Sequence, residues 1–161
     1  MPSFCFLKKI QLIKKQNKII KLVYTIPSFQ NPQGQLMGTE RRLAILDITK
    51  KHGIPILEDD CYVDLAFDQT PDNAIFSLDT HNSTLYLGSY SKIIAPGIRL
   101  GFLVAHQDVI RKSMVVKSGG GYNELIASAI NSFSRSHLEK HIIKINKKLK
   151  TKRRKETEKI D

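Results

Sequence analysis

The chain is predicted to form a layered α/β unit, a sheet with helices on both faces. Three observations predict it. Short apolar runs recur at residues 21–25, 54–58, 83–89 and 101–105. Stretches with helical start and stop signals lie between and after them. Polar residues with chemical capability fall where the runs end, which is where open α/β sheets hold their ligands. The 161 residues, 41% of them apolar, suffice for one modest domain with a core.

The elements follow in chain order. Pro2 to Leu7 is apolar but far too short to span a membrane, and no small-residue cleavage site argues for a signal peptide. Gln11 to Lys21 reads as a basic helix or a linker. Lys21 to Thr25 (Lys-Leu-Val-Tyr-Thr) reads as a short strand that Pro27 ends. Residues 28–38 are turn-rich, with Asn31-Pro32-Gln33-Gly34 at their centre. Thr39 can cap a helix running to about His52. Leu43, Ala44, Leu46 and Ile48 supply its apolar stripe, and Gly53 stops it. Ile54 to Glu58 suits a buried strand with proline tolerated near its start. Ser83 to Ser89 and Gly101 to Ala105 are further strands. Helices are predicted over 107–116 and 122–136, and a long charged helix from Leu138. The run Gly119-Gly120-Gly121 lacks the lysine and serine of a phosphate loop and reads as a turn before Tyr122.

The net charge of +11 sits at the ends of the chain. Residues 1–21 carry six lysines and no acid, and residues 140–161 carry ten bases and three acids. Residues 22–139 carry ten bases and twelve acids, so the middle is nearly neutral. A basic tail can bind nucleic acid or an anionic surface, but a lysine-rich solvated helix accounts for the same pattern. Cys5 and Cys61 read as ordinary cytosolic thiols, and the five histidines show no metal-ligand spacing. No metal site is predicted, and the location expected is cytoplasmic.

The most informative stretch is Ser89-Tyr90-Ser91-Lys92-Ile93-Ile94-Ala95-Pro96-Gly97-Ile98-Arg99. Apolar runs flank Lys92, which predicts a lysine held inside a folded site and partly neutral there. Such an amine can form an imine with an aldehyde. Ser89, Ser91 and Arg99 can take phosphate oxygens, the guanidinium fork matching phosphate geometry. Ser91 can equally be a hydroxyl at a helix start. Asp59 can pair with a protonated ring nitrogen and keep the ring an electron sink. Tyr62 and Asn31 can donate to a ring hydroxyl. Together these groups suit a phosphorylated pyridine aldehyde. Once displaced from the imine by an amino acid, Lys92 can move the α-proton, which makes it covalent anchor and general base. Glu58 and Asp60, beside Asp59, read as supporting residues.

Three stretches carry a resemblance: Tyr-Thr-Ile-Pro-Ser-Phe-Gln-Asn-Pro-Gln-Gly (24–34), Ile-Leu-Glu-Asp-Asp-Cys-Tyr (56–62) and Gly-Ser-Tyr-Ser-Lys-Ile-Ile-Ala-Pro-Gly-Ile-Arg-Leu-Gly (88–101). In this order and spacing they resemble the fold-type I, class I/II aminotransferases that use pyridoxal 5'-phosphate. The nearest branches are the aminoadipate and aromatic aminotransferases and the aminotransferase-like half of GntR/MocR regulators. The resemblance covers about residues 20–140. It implies the three-layer αβα core of the large domain, incomplete, over residues 21–137. Residues 1–20 would then be a basic N-terminal segment and 138–161 a basic C-terminal helix or tail. It also implies Lys92 as the Schiff-base lysine, Asp59 on the pyridine nitrogen, and Tyr62 and Asn31 on the phenolic oxygen. Ser89 and Arg99 fall at phosphate positions, with Ser91 assisting.

The activity implied is amino-group transfer between an amino acid and a 2-oxo acid, in a homodimer or with a complementing subunit. No segment before Asn31 resembles the family's glycine-containing phosphate loop or its ring-stacking aromatic residue. The small domain and its carboxylate-gripping arginine are not evident either, so weak or absent turnover by the isolated chain is expected. The alternatives are a cofactor-sensing regulatory module, which would need a DNA-binding domain upstream, and a non-catalytic remnant; Asn31 favours the enzyme branch. Neither membrane nor nucleic-acid binding is expected.

Overall fold

The computed structural model describes residues 3–117 and 121–158. Four strands form one sheet in the order β1 (Val23–Thr25), β2 (Ile56–Asp59), β3 (Thr84–Ser89), β4 (Gly101–Val104). The first three run parallel and β4 runs antiparallel to β3. The return has a simple cause. Residues 90–100 are too few for the helical crossover that a parallel partner needs. They instead form a tight turn, closed by the Tyr90 N–H donating to the Leu100 carbonyl at 3.1 Å.

Six helices flank the sheet among the described residues: α1 (Ser3–Lys15), α2 (Thr39–His52), α3 (Ile75–Leu78), α4 (Gln107–Val116), α5 (Glu124–Ser136) and α6 (Leu138–Thr157). The long elements lie where the sequence puts them. Two details differ. Helix α1 begins well before Gln11, because Phe6 packs against the core and Ile10, one turn on, is buried. Helix α5 begins at Glu124 because the Asn123 side chain caps it, accepting from the Ile126 N–H at 3.1 Å. Residues 119 and 120 of the glycine run lie outside the described residues.

Helix α2 corrects two expectations. Its cap is Gly38, and the Thr39 hydroxyl donates to Asp72 at 2.8 Å. Its buried face is Arg42, Ile45, Leu46 and Thr49, whereas Leu43 is exposed. A single stripe at spacing i, i+3, i+4, i+7 can face the core, and the stripe through 42 and 49 wins. The helix ends as expected. Gly53 takes φ 64°, its N–H returns to Lys50, and the Ile54 N–H returns to Thr49 at 3.0 Å, a Schellman close.

Arg42 earns its buried place by hydrogen bonding. Its Nε donates to the Met37 carbonyl at 2.7 Å and its Nη1 to the Asn73 carbonyl at 3.2 Å. Its Nη2 lies 3.3 Å from both the Pro27 carbonyl and the Ser28 hydroxyl. It also pairs with Glu58 at 3.7 Å, and both side chains are fully buried. Glu58 accepts the Ile75 N–H at 2.9 Å and the Phe76 N–H at 2.8 Å. Those are first-turn donors of α3, a four-residue helix with no sequence periodicity of its own. Burial pushes the Glu58 carboxyl above its ordinary value, and these N–H donors and Arg42 offset part of that push.

The core proper is Ile45 and Leu46 of α2, Ile56 of β2 and Ile75 of α3, with Phe6, Met37 and Leu78 packed around them. Across β3 and β4, Gly88 pairs with Phe102. The Phe102 ring occupies the space that a Cβ on Gly88 would fill. Phe102 also continues an aromatic row with Tyr86 (6.3 Å) and Tyr90 (5.8 Å). Helix α6 is tied to the loop after β2 by Asn146, which donates to the Asp64 carbonyl at 2.9 Å, and by Lys150 and Arg153, which pair with Asp68. Among the described residues no helix is long and apolar enough to cross a membrane.

Two predictions follow from these buried groups. Arg42→Met strands Glu58 as an uncompensated buried carboxylate and costs about 3–5 kcal/mol of stability by urea unfolding; adding Glu58→Gln recovers part of it. The second concerns Asp79, which accepts N–H groups of His81, Ser83 and Thr84 and the hydroxyls of Ser83 and Thr84. Burial opposes its ionisation, but these donors win and hold the carboxyl below its ordinary value. A depressed folded-state pKa stabilises the fold above the unfolded value, and the gain is lost as pH falls through the folded value. Asp79→Asn therefore lowers stability at pH 7 and flattens the part of the acid-side loss that Asp79 causes, read by denaturant unfolding across the acid range.

Candidate functional site

The parallel strands deliver three polar residues to one rim. Thr25, Asp59 and Ser89 are the last residues of β1, β2 and β3. Strand alternation then sorts the acids of β2. Ile56 and Glu58 point to the face covered by α2 and α3, where both are fully buried. Leu57 and Asp59 point to the other face. Register continues that second face sideways, since Asp59 pairs with Leu87 and Leu87 pairs with Leu103.

These residues open onto one cleft of about 530 Å³, lined among others by Asp59, Cys61, Leu87, Ser89, Ser91, Lys92, Arg99 and Leu103. The volume lies within the range of small-molecule sites. The structure therefore brings Asp59, Ser89, Ser91, Lys92 and Arg99 to one wall. Tyr62 adjoins them: the Lys92 Nζ lies 5.6 Å from its ring centroid. The Ser89 hydroxyl accepts the Ser91 N–H at 3.2 Å and so shapes the turn that leads into Lys92. Arg99 takes the left-handed backbone (φ 52°) just after the short 3₁₀ turn Pro96–Ile98. Asn31 stands apart from this wall. It is exposed on the loop between β1 and α2, where its carbonyl accepts the Gln30 side-chain amide at 2.6 Å.

One sequence expectation is corrected. Lys92 is exposed to solvent rather than enclosed by the apolar residues that flank it. Those residues turn elsewhere, Ile93 being buried, and the lysine projects from the turn into an open cleft. Asp60, next in sequence to Asp59, is nearly fully buried and does not line the cleft; burial pushes its carboxyl above the ordinary value while Ser28 and Arg42 pull it down.

Two groups make contacts that the sequence alone does not assign, although Tyr24, like Thr25, is legible as a polar residue at the end of the first strand. The Tyr24 hydroxyl donates to the Asp59 Oδ2 at 2.6 Å. That hydrogen bond first, then burial and the charge of Asp59, raise its pKa from 10.0 to about 12. The signal was present: Tyr24 pairs with Leu57, two residues before Asp59, so both side chains share a face. Cys61 lies beside the same carboxylate, and burial followed by that charge pushes its thiol up to about 11. A thiol so shifted stays protonated at neutral pH and is a poor nucleophile. No metal-binding cluster of His, Cys, Asp or Glu occurs among the described residues.

The Tyr24–Asp59 bond predicts a titration. In the ultraviolet difference between the wild type and Tyr24→Phe, one phenol ionises near pH 12. Asp59→Ala brings that phenol back toward its ordinary 10.0.

Comparison with known proteins places this arrangement. Residues 7–161 match the family model described as aminotransferase class I and II. The chain is 38% identical over 136 residues to an uncharacterized HTH-type transcriptional regulator, YisV, of Bacillus subtilis, covering 83% of this chain and 28% of the regulator. It is 35% identical over 147 residues to aromatic-amino-acid aminotransferase 1 of Thermococcus litoralis, covering 86% and 34% respectively. Among solved structures it superposes on a multiple substrate aminotransferase from Thermococcus profundus with a TM-score of 0.89 and 33% identity, covering 95% of this chain and 39% of that one. The Pyrococcus horikoshii kynurenine aminotransferase matches with a TM-score of 0.86 and 35% identity, covering 91% and 37%. The chain thus spans about a third of the length of these relatives.

Proposed function

From the premise that the chain belongs to the pyridoxal-phosphate-dependent class I and II aminotransferase family, we propose that the cleft formed by the end of β2, by β3, by the turn after it and by β4 holds pyridoxal 5'-phosphate and serves amino-group transfer between an amino acid and a 2-oxo acid. The observation that carries this reading is that an amine and a carboxylate, Lys92 and Asp59, line one cleft together with two serine hydroxyls and a guanidinium. A phosphorylated pyridine aldehyde asks for that donor set: an amine for the aldehyde, a carboxylate for the ring N–H, and hydroxyl and guanidinium donors for the phosphate.

The cofactor, when bound, supplies an electron sink for charge at the substrate α-carbon. The chain's own residues do the rest. Lys92 would hold the aldehyde end of the cofactor through its Nζ and, when free, would be the base that moves the substrate α-proton. Asp59 accepts the ring N–H and holds the ring charge in place. Ser89, Ser91 and Arg99 donate to phosphate oxygens, the arginine through its planar fork. Tyr62 donates to the ring's phenolic oxygen, and Asn31 does so from its loop. Residues 21–137 form the cofactor-binding part, flanked by basic segments at 1–20 and 138–161. The partner this reading expects is a second copy or a complementing subunit.

A second reading has an observation of its own. Two Bacillus subtilis relatives, at 38% and 36% identity, are named HTH-type transcriptional regulators. On that reading the same cleft senses the cofactor or an amino acid rather than turning one over.

One experiment tests the cofactor site and separates the two readings. Purified protein titrated with pyridoxal phosphate is expected to develop a visible absorption band that Lys92→Ala abolishes. The band with transamination of an amino acid, however weak, decides for the enzyme reading; the band without turnover fits both readings and leaves the cofactor site standing. A Lys92→Ala spectrum identical to the wild type would overturn both.

A further inference from the structure

We propose that Tyr24 is a positioning residue for the cofactor's ring nitrogen, acting through Asp59. The inference rests on the reading of the cleft as a pyridoxal phosphate site and goes further, to a residue on a different strand that does not line the cleft.

The geometry begins with register. Tyr24 lies opposite Leu57 in the parallel β1–β2 pair, and Leu57 and Asp59 share a face of β2. A phenol is long enough to cross that diagonal, and its hydroxyl ends 2.6 Å from Asp59 Oδ2. The distance is that of a charge-assisted O–H···O bond. A carboxylate at a strand end is otherwise free to rotate about its side-chain torsions. Held at Oδ2, it has one oxygen committed to the phenol and the other left for a partner in the cleft. The phenol stays protonated far above neutral pH, so the donor is present under all ordinary conditions. Tyr24 itself contacts a different hollow, of about 300 Å³, formed with Thr25, Gln30 and Met37. Its effect on the ring therefore passes through Asp59.

The test compares two ligands. Pyridoxal phosphate has the ring nitrogen; its deaza analogue carries a C–H at that position and cannot use Asp59 in the same way. Affinity for each is measured through the Lys92-dependent absorption band. Tyr24→Phe is expected to weaken pyridoxal phosphate about ten-fold, the size of one hydrogen bond to a charged group, and to leave the deaza analogue within about two-fold. In an Asp59→Ala background the same substitution is expected to add nothing further for either ligand, which separates a role through Asp59 from a general loss of folding. Equal weakening of both ligands, no weakening of either, or a full effect of Tyr24→Phe without Asp59 would overturn the positioning role while the cofactor site stands. If no Lys92-dependent band forms with pyridoxal phosphate in the wild type, the site reading fails and the proposal falls with it.

Discussion

The buried guanidinium of Arg42 is the constraint on which the rest of the structure depends. It reaches carbonyls on two loops, at Pro27 and Met37 on one and at Asn73 on the other, and it faces the Glu58 carboxylate. Glu58 in turn accepts the first two N–H groups of α3. One cation therefore fixes the chain on both sides of α2, the carboxyl-terminal half of β2 and the start of α3. A buried ion pair is weak evidence of net stability, since apolar residues of similar volume can do as well. Its value here is geometric. With Glu58 clamped on the core face, Asp59 must project from the opposite face, and a one-residue slip of β2 would exchange the two.

The site follows from that register with little added machinery. Three parallel strands end at one rim, and the turn after β3 places Lys92 and Arg99 on the same cleft as Asp59. The antiparallel return of β4 keeps the turn short. Two serines do local work, Ser89 accepting the Ser91 N–H and so ordering the approach to the lysine. The cleft is open, and Lys92 is exposed within it.

Much of this was legible in the sequence where one residue type has one physical outcome. Gly53 ended α2 because the left-handed closing position favours glycine, and the apolar runs became strands near their predicted limits. Asp59 could be chosen from three adjacent acids, and alternation explains why its neighbour Glu58 is unavailable to the cleft. What stayed hidden needed partners distant in sequence. Arg42 reads as a surface charge on α2 until the carbonyls of residues 27, 37 and 73 are brought to it. Helix α3 exists because Glu58, seventeen residues earlier, satisfies its first donors. Tyr24 reads as a polar residue at a strand end, with no assigned partner, until the register with β2 is known. The antiparallel sense of β4 is legible in the length of residues 90–100, which is shorter than a crossover requires.

The pairing of Gly88 with Phe102 carries a consequence for how this site can drift. The benzyl ring lies where a side chain at position 88 would have to go, so the back of the sheet is already full one residue before Ser89. Any larger residue there would have to displace the Phe102 ring. A glycine with no chemistry of its own thus leaves room for the ring that packs the strand leading into the Lys92 turn.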